Sequence, residues 1–209
     1  MKKYPVFLLV LILTATIACN LGVTPPAPAA DAPAPPTMVE VCARLRAVPQ
    51  PTVAAIRGAC LGGALSLACC CDIRIAGRDA FFALPEVRLG FAPGPDTAIP
   101  IVRVMGLRHY RRYAMTGQRF GAEEALRIGL VHEICDAEEI DRSLDAQSEE
   151  ILRAAPGAAR HAKRVAADAL EERLPVEALS GLAGGGRNSE EAREGLAAFR
   201  EKRKPAWYR

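Results

Sequence analysis

Several features are scarce in this sequence, and each scarcity excludes something. Ordered cysteine spacing is the first. Seven cysteines occur, Cys19, Cys42, Cys60, Cys69, Cys70, Cys71 and Cys135, an odd number with no C-x-x-C pair. That pattern supports neither a zinc site nor a disulfide framework, and no metal is expected. Cys69, Cys70 and Cys71 are consecutive, so they point in different directions on any helix and suit small buried hydrophobes better than metal ligands. Charge of one sign is also scarce: the formal net charge is +3. This is too little to draw nucleic acid, and Arg103, Arg108, Arg111 and Arg112 read as a solvated face or an anion contact. The apolar run Val6 to Ile17 is short for a membrane-spanning helix. No internal repeat is visible.

What is present divides into unequal parts. Residues 1–19 read as an export signal: Lys2 and Lys3 supply the positive start, Val6 to Ile17 the apolar centre, and Ala18-Cys19 a cleavage point. Thr16-Ile17-Ala18-Cys19 has the outline of a lipoprotein box, with Thr16 where leucine is usual, so a lipid anchor at Cys19 would be the one membrane connection. Residues 20–37 are dominated by Pro and Ala from Thr24 on. Such a composition cannot pack a core and suits a semi-rigid tether. The 209 residues otherwise fit one domain with a modest core, and half of them are hydrophobic.

From Met38 the pattern is that of a folded α/β chain, with an α/β core over 38–135 and a helical region over 136–209. Val41, Leu45 and Val48 recur at helical spacing over Met38 to Val48, until Pro49 and Pro51 stop the helix. Thr52 to Ile56 reads as a strand buried on both faces. A glycine-containing turn, Arg57 to Gly63, leads into a small-residue helix over Ala64 to Cys71, then a strand over Ile73 to Ala76. Strand, turn, helix, strand is the unit of an α/β layered fold. Phe81 to Leu84 is a further short strand, and Pro93-Gly94-Pro95-Asp96 a loop. Helices are expected over Ile101 to Met105 and His109 to Met115, each ended by a glycine, and another opens at Gly121. Asp136 and Glu139 have capping-box spacing ahead of a helix whose Ile140, Leu144 and Ile151 share a face. Helices over Ala158 to Leu174 and Ser189 to Lys202 follow, separated by Gly184-Gly185-Gly186.

Two places carry chemistry. A strand, glycines and then a helix present N–H groups that have no intrahelical partner, at the positive end of the helix dipole. Gly62 and Gly63 are therefore candidates to donate an N–H to a developing oxyanion such as a thioester enolate; close helix–strand packing is the other reading of the same glycines. Glu86, after Pro85 and beside apolar Val87 and Leu89, is the candidate acid/base carboxylate.

Taken together, PTVAAIRGACLGGALSLACCCDI over 51–73 and FALPEVRLG over 82–90, followed by Pro93-Gly94, resemble the signature of the crotonase (enoyl-CoA hydratase/isomerase) family. Thr116-Gly117, Glu124-Ala125, Gly129-Leu130-Val131 and the closing Glu194-Gly195-Leu196, Phe199 and Lys204-Pro205 continue the resemblance in order, over about three-quarters of the chain. It implies a ββα spiral, present here in part, followed by C-terminal helices and assembled as trimers or hexamers. It implies acyl-CoA thioester substrates, with coenzyme A as part of the substrate and no separate cofactor. By the same resemblance Gly63 falls on a position donating an oxyanion N–H, and Glu86 on the glutamate that handles the proton at the α- or γ-carbon. Gly62, Ser66, Pro93 and Gly94 fall beside the substrate, and Lys202 and Lys204 near a CoA phosphate.

Three departures from the family pattern narrow these implications. Ser66 stands where hydratases carry a first glutamate; its hydroxyl orients water but cannot accept a proton near neutral pH. Asp96 and Thr97 replace the usual glycine pair, making Asp96 either a turn former or a second acid/base. The early spiral turns, with another oxyanion N–H and much of the nucleotide site, are expected ahead of Pro51, where signal and tether stand instead. Losing one oxyanion donor costs a factor on the order of 10²–10³ in rate. The competing expectation is thus a non-catalytic, truncated crotonase-like domain serving as an interaction module, with export pointing that way. Acyl-CoA chemistry points instead to the cytoplasm.

Overall fold

The computed structural model describes residues 9–15, 36–89, 92–170 and 190–207. The Ala18–Cys19 junction, the Pro/Ala-rich stretch to Pro35 and Gly184-Gly185-Gly186 lie outside them. The chain forms two compact units, one of Leu11–Ala47 with Ala54–Asp141, the other of Met1–Val10, Val48–Val53 and Arg142–Arg209.

In the first unit, α1 (Met38–Ala47) starts where its composition predicts. Thr37, counted with the tether by composition, belongs to the helix start. Its Oγ1 accepts the Glu40 N–H at 3.3 Å while the Glu40 carboxylate accepts the Thr37 N–H at 2.8 Å, a reciprocal capping box. β2 (Thr52–Leu61) runs longer than expected, straight through the anticipated turn; β1 (Leu9–Ala15) lies within the apolar run read as a signal. The extension has a tertiary cause. Ala59, Cys60 and Leu61 pair in parallel with Phe81, Phe82 and Ala83 of β4 (Phe81–Ala83), which satisfies backbone groups a solvent-exposed turn would have left open. Gly58, at φ 61°, lets the strand continue.

α2 (Gly63–Cys70) and β3 (Ile73–Gly77) come next, as the α/β pattern requires. α3 (Pro95–Thr116) absorbs the anticipated Pro-Gly loop: Pro95 stands in its first turn, where proline's missing N–H costs nothing. The expected break at Gly106 is real, at φ 76° and ψ 158° within the helix. Two short strands that periodicity did not reveal, β5 (Phe120–Gly121) and β6 (Glu133–Cys135), flank α4 (Ala122–Arg127). The strand order is β5-β4-β2-β3-β6, with β1 also pairing β2. β6 runs parallel to β3 and β5 antiparallel to β4.

The core collects around β2 and α2, where Val53, Ala54, Ala55, Ile56, Leu65 and Phe82 are sealed from solvent. Cys60, Cys69, Cys70 and Cys71 pack there as the small hydrophobes expected, and burial pushes the Cys60 and Cys69 thiols up to about 12. Arg74 is buried at their edge. Its Nε donates to the Leu130 carbonyl at 2.7 Å and its Nη1 to the Cys71 carbonyl at 2.5 Å, while its N–H donates to His132 Nδ1. These bonds tie the start of β3 to the segment entering β6. Phe82 and Tyr113 both stack on Phe120.

Tyr113 also donates to Glu124 at 2.6 Å, and Arg127 grips the same carboxylate through two nitrogens at 2.6 and 2.7 Å. The Arg127 pair, then the Tyr113 bond, hold the Glu124 carboxyl at about 2.

α5 (Ile140–Arg153) starts at the end of the first unit, and its remainder lies in the second with α6 (Pro156–Leu170) and α7 (Glu190–Arg200). Asp136 does not cap the helix with its side chain as its spacing suggests; its carboxylate pairs with Arg78 at 3.0 Å instead. Glu191 of α7 accepts the Gly157 and Ala158 N–H groups at the start of α6, a cap supplied from another helix. Arg203 grips Glu194 through two nitrogens, and Trp207 donates to the Arg153 carbonyl at 3.1 Å.

Two outcomes test this packing. Phe82→Ala should cost about 3–5 kcal/mol in a urea titration, the range for emptying a sealed aromatic site. The Glu124 carboxyl is depressed in the fold, so its contribution is present above the ordinary carboxylate pKa and is lost as pH falls from about 4.5 toward 2. Glu124→Gln should therefore flatten the acid limb of a stability–pH profile in that window.

Candidate active site

The site is built where β2 hands the chain to α2. Gly62 sits at φ 50° and ψ −116°, a conformation for which L side chains are unsuited. Its N–H donates to the Ala83 carbonyl at 3.0 Å, prolonging the β2–β4 ladder by one bond. Gly62 therefore spends its N–H within the fold. Its carbonyl accepts the Ser66 N–H at 3.1 Å, the first bond of α2. Gly63 is thus the first helical residue, with an N–H that no intrahelical carbonyl serves.

Glu86 reaches this turn from a short 3-10 helix, Pro85–Leu89, rather than the open loop anticipated. Its Oε1 stands 2.6 Å from where a Cβ on Gly62 would lie. The carboxylate thus rests against bare glycine backbone, an approach any side chain at 62 would block. The other oxygen, Oε2, is buried without a hydrogen-bond partner, which leaves it available to a proton. Arg88 clamps the 3-10 helix to the end of α3, donating to the Thr116 carbonyl at 3.1 Å and lying against Gly117.

Three neighbours were not singled out by sequence. Tyr110, half-buried on α3, has its hydroxyl pushed up by burial and then by the Glu86 charge. Met38 lies over Gly63, its terminal methyl 3.0 Å from a Cβ placed there. Cys42, one turn further along α1, has its sulfur 3.6 Å from the Ser66 hydroxyl. The one available signal was the i, i+4 spacing of Met38 and Cys42 on a single helix face. Ser66 itself is wholly buried.

Pro93 and Gly94 lead into α3, and Gly94 caps it through a carbonyl that accepts the Thr97 and Ala98 N–H groups. The Asp96 side chain lies outside the described part of the protein. Lys202 and Lys204 belong to the other unit, exposed beyond α7. Among the described residues no cluster of His, Cys, Asp or Glu is placed to hold a metal ion, and no helix is long and apolar enough to cross a membrane.

A carboxylate with one buried, unpartnered oxygen thus lies beside a helix start whose first N–H has no intrahelical partner. Residues 24–209 match the enoyl-CoA hydratase/isomerase family, and the chain belongs to it. It is 36% identical over 169 residues to an Arabidopsis thaliana protein named "Probable enoyl-CoA hydratase 2, mitochondrial", covering 78% of this chain and 55% of that one. A short-chain-enoyl-CoA hydratase of Clostridium acetobutylicum is 33% identical over 171 residues, covering 79% and 64%. The crystal structure of an enoyl-CoA hydratase from Shewanella pealeana superposes with a TM-score of 0.75 at 35% identity, over 81% of this chain and 64% of that one. The fold is crotonase-like α/β. The chain spans between about half and two-thirds of the length of these relatives.

Gly62→Ala tests the geometry. It combines an unsuitable backbone angle with a 2.6 Å collision against Glu86, and a strained backbone alone costs about 1–3 kcal/mol. The expected outcome is a lower midpoint in a urea denaturation.

Proposed function

We propose that this protein acts on acyl-CoA thioesters through a stabilised enolate, and that it moves a double bond rather than adding water. The observation that carries this reading is the Glu86 carboxylate lying against the Gly62–Gly63 turn with one oxygen unpaired. A 3-enoyl thioester bound there has its carbonyl oxygen at the Gly63 N–H. Glu86 takes a proton from C2, and the electron pair moves onto the thioester oxygen, where that N–H and the α2 dipole favour negative charge. The protonated Glu86 returns the proton to C4, the pair flows back, and the double bond lies between C2 and C3. No proton is gained or lost.

Ser66 favours this over hydration. Adding water asks for a second base to take its proton, and here that position is a sealed hydroxyl facing the Cys42 thiol. Neither group is a useful base when buried and neutral. Binding of the CoA phosphates by Lys202 and Lys204, contacts from Pro93 and Gly94, and assembly as a trimer or hexamer belong to the same proposal. Light scattering would show the last as a mass that is a multiple of three chains.

The assay monitors absorbance at the enoyl-thioester band. A 3-enoyl-CoA should gain it, and crotonyl-CoA should lose it far more slowly. Glu86→Gln should lower the isomerisation rate by a factor on the order of 10²–10⁴. A folded protein that binds neither thioester would remove this reading and leave an interaction module. Faster hydration than isomerisation would overturn the choice of reaction alone.

A further inference from the structure

Within the apolar run that reads as an export signal, the described residues form a strand. Leu9–Ala15 is extended over seven residues and pairs with β2. The same seven residues have two incompatible fates: a signal's apolar centre leaves with the leader, whereas a sheet strand must stay. Cleavage between Ala18 and Cys19 would remove the whole of β1.

The register of β2 shows what would be lost. β4 pairs only with Ala59, Cys60 and Leu61. Thr52 to Gly58 lie ahead of that contact, a stretch of the same length as β1. Yet Thr52, Val53, Ala54, Ala55 and Ile56 are at most 1% exposed. A buried backbone needs partners for its N–H and C=O groups, and an uncovered apolar edge invites pairing with other chains. β3 lies along one side of β2, and β1, a strand of uncharged residues (Leu-Val-Leu-Ile-Leu-Thr-Ala) that also pairs β2, is suited to the stretch β4 leaves uncovered. The thiols agree independently. Cys42, Cys60, Cys69, Cys70, Cys71 and Cys135 form no disulfide among the described residues, a usage that suits a reducing compartment.

We infer that Leu9–Ala15 is a permanent strand of the sheet, that the Ala18–Cys19 junction is not a processing site, and that the Pro/Ala-rich stretch connects β1 to α1 instead of tethering the domain to a membrane. The inference is independent of the proposed reaction.

The full chain, tagged only at its C-terminus and expressed in a bacterium with its signal peptidases intact, provides the test. Its intact mass should include residues 9–15, and hydrogen exchange should find amides of β1 slowed by about 100-fold or more relative to an unstructured peptide. Leu11→Pro, which removes a strand N–H, should lower the thermal midpoint by several degrees or prevent folding, while Leu11→Ala folds. A mature chain beginning at a lipidated Cys19, exchange in residues 9–15 at the unstructured rate, or an unchanged midpoint in Leu11→Pro would each overturn it.

Discussion

Close approach of a carboxylate to bare backbone governs the site, and much of the first unit is arranged around it. Glu86 can lie against residue 62 because glycine has no Cβ and accepts the backbone angles found there. Those angles in turn let one residue end the β2–β4 ladder, through its N–H, and begin α2, through its carbonyl. Both of its polar groups are committed to the fold, and the neighbouring Gly63 inherits the spare donor. The separation of duties between adjacent glycines is a consequence of hydrogen-bond accounting, since each backbone N–H serves one principal acceptor.

The surroundings hold this contact in place from several directions. Arg88 fastens the 3-10 helix carrying Glu86 to the end of α3. Tyr113, bonded to Glu124 and stacked on Phe120, locks α3 to α4 and, through Phe82, the β4 strand beneath. α1 lays Met38 on Gly63 and Cys42 beside Ser66. The Glu86 carboxylate is left in a mostly apolar setting, against bare glycine backbone.

Legibility differed by element and for physical reasons. α1, β2, α2 and β3 could be read because proline stops, small-residue runs and apolar periodicity are local. β5 and β6, of two and three residues, could not: a strand that short exists only through its partner. The end of β2 carries the usual glycine turn signal, and only pairing with β4 overrides it. The capping box expected of Asp136 gave way to an ion pair with Arg78, a residue far off in sequence. Thr37 shows the reverse, a cap hidden at the edge of a biased segment.

The sequence by itself determined the family and singled out Glu86, Gly63 and Ser66, because each is a matter of residue type in an ordered run. Only the tertiary structure decided which glycine keeps a free N–H, what seals Ser66, and that an apolar segment with every mark of a leader is a strand beside β2. Those depend on partners distant along the chain. Hydrogen-bond satisfaction and burial are properties of the assembled sheet, so no local pattern could have carried them.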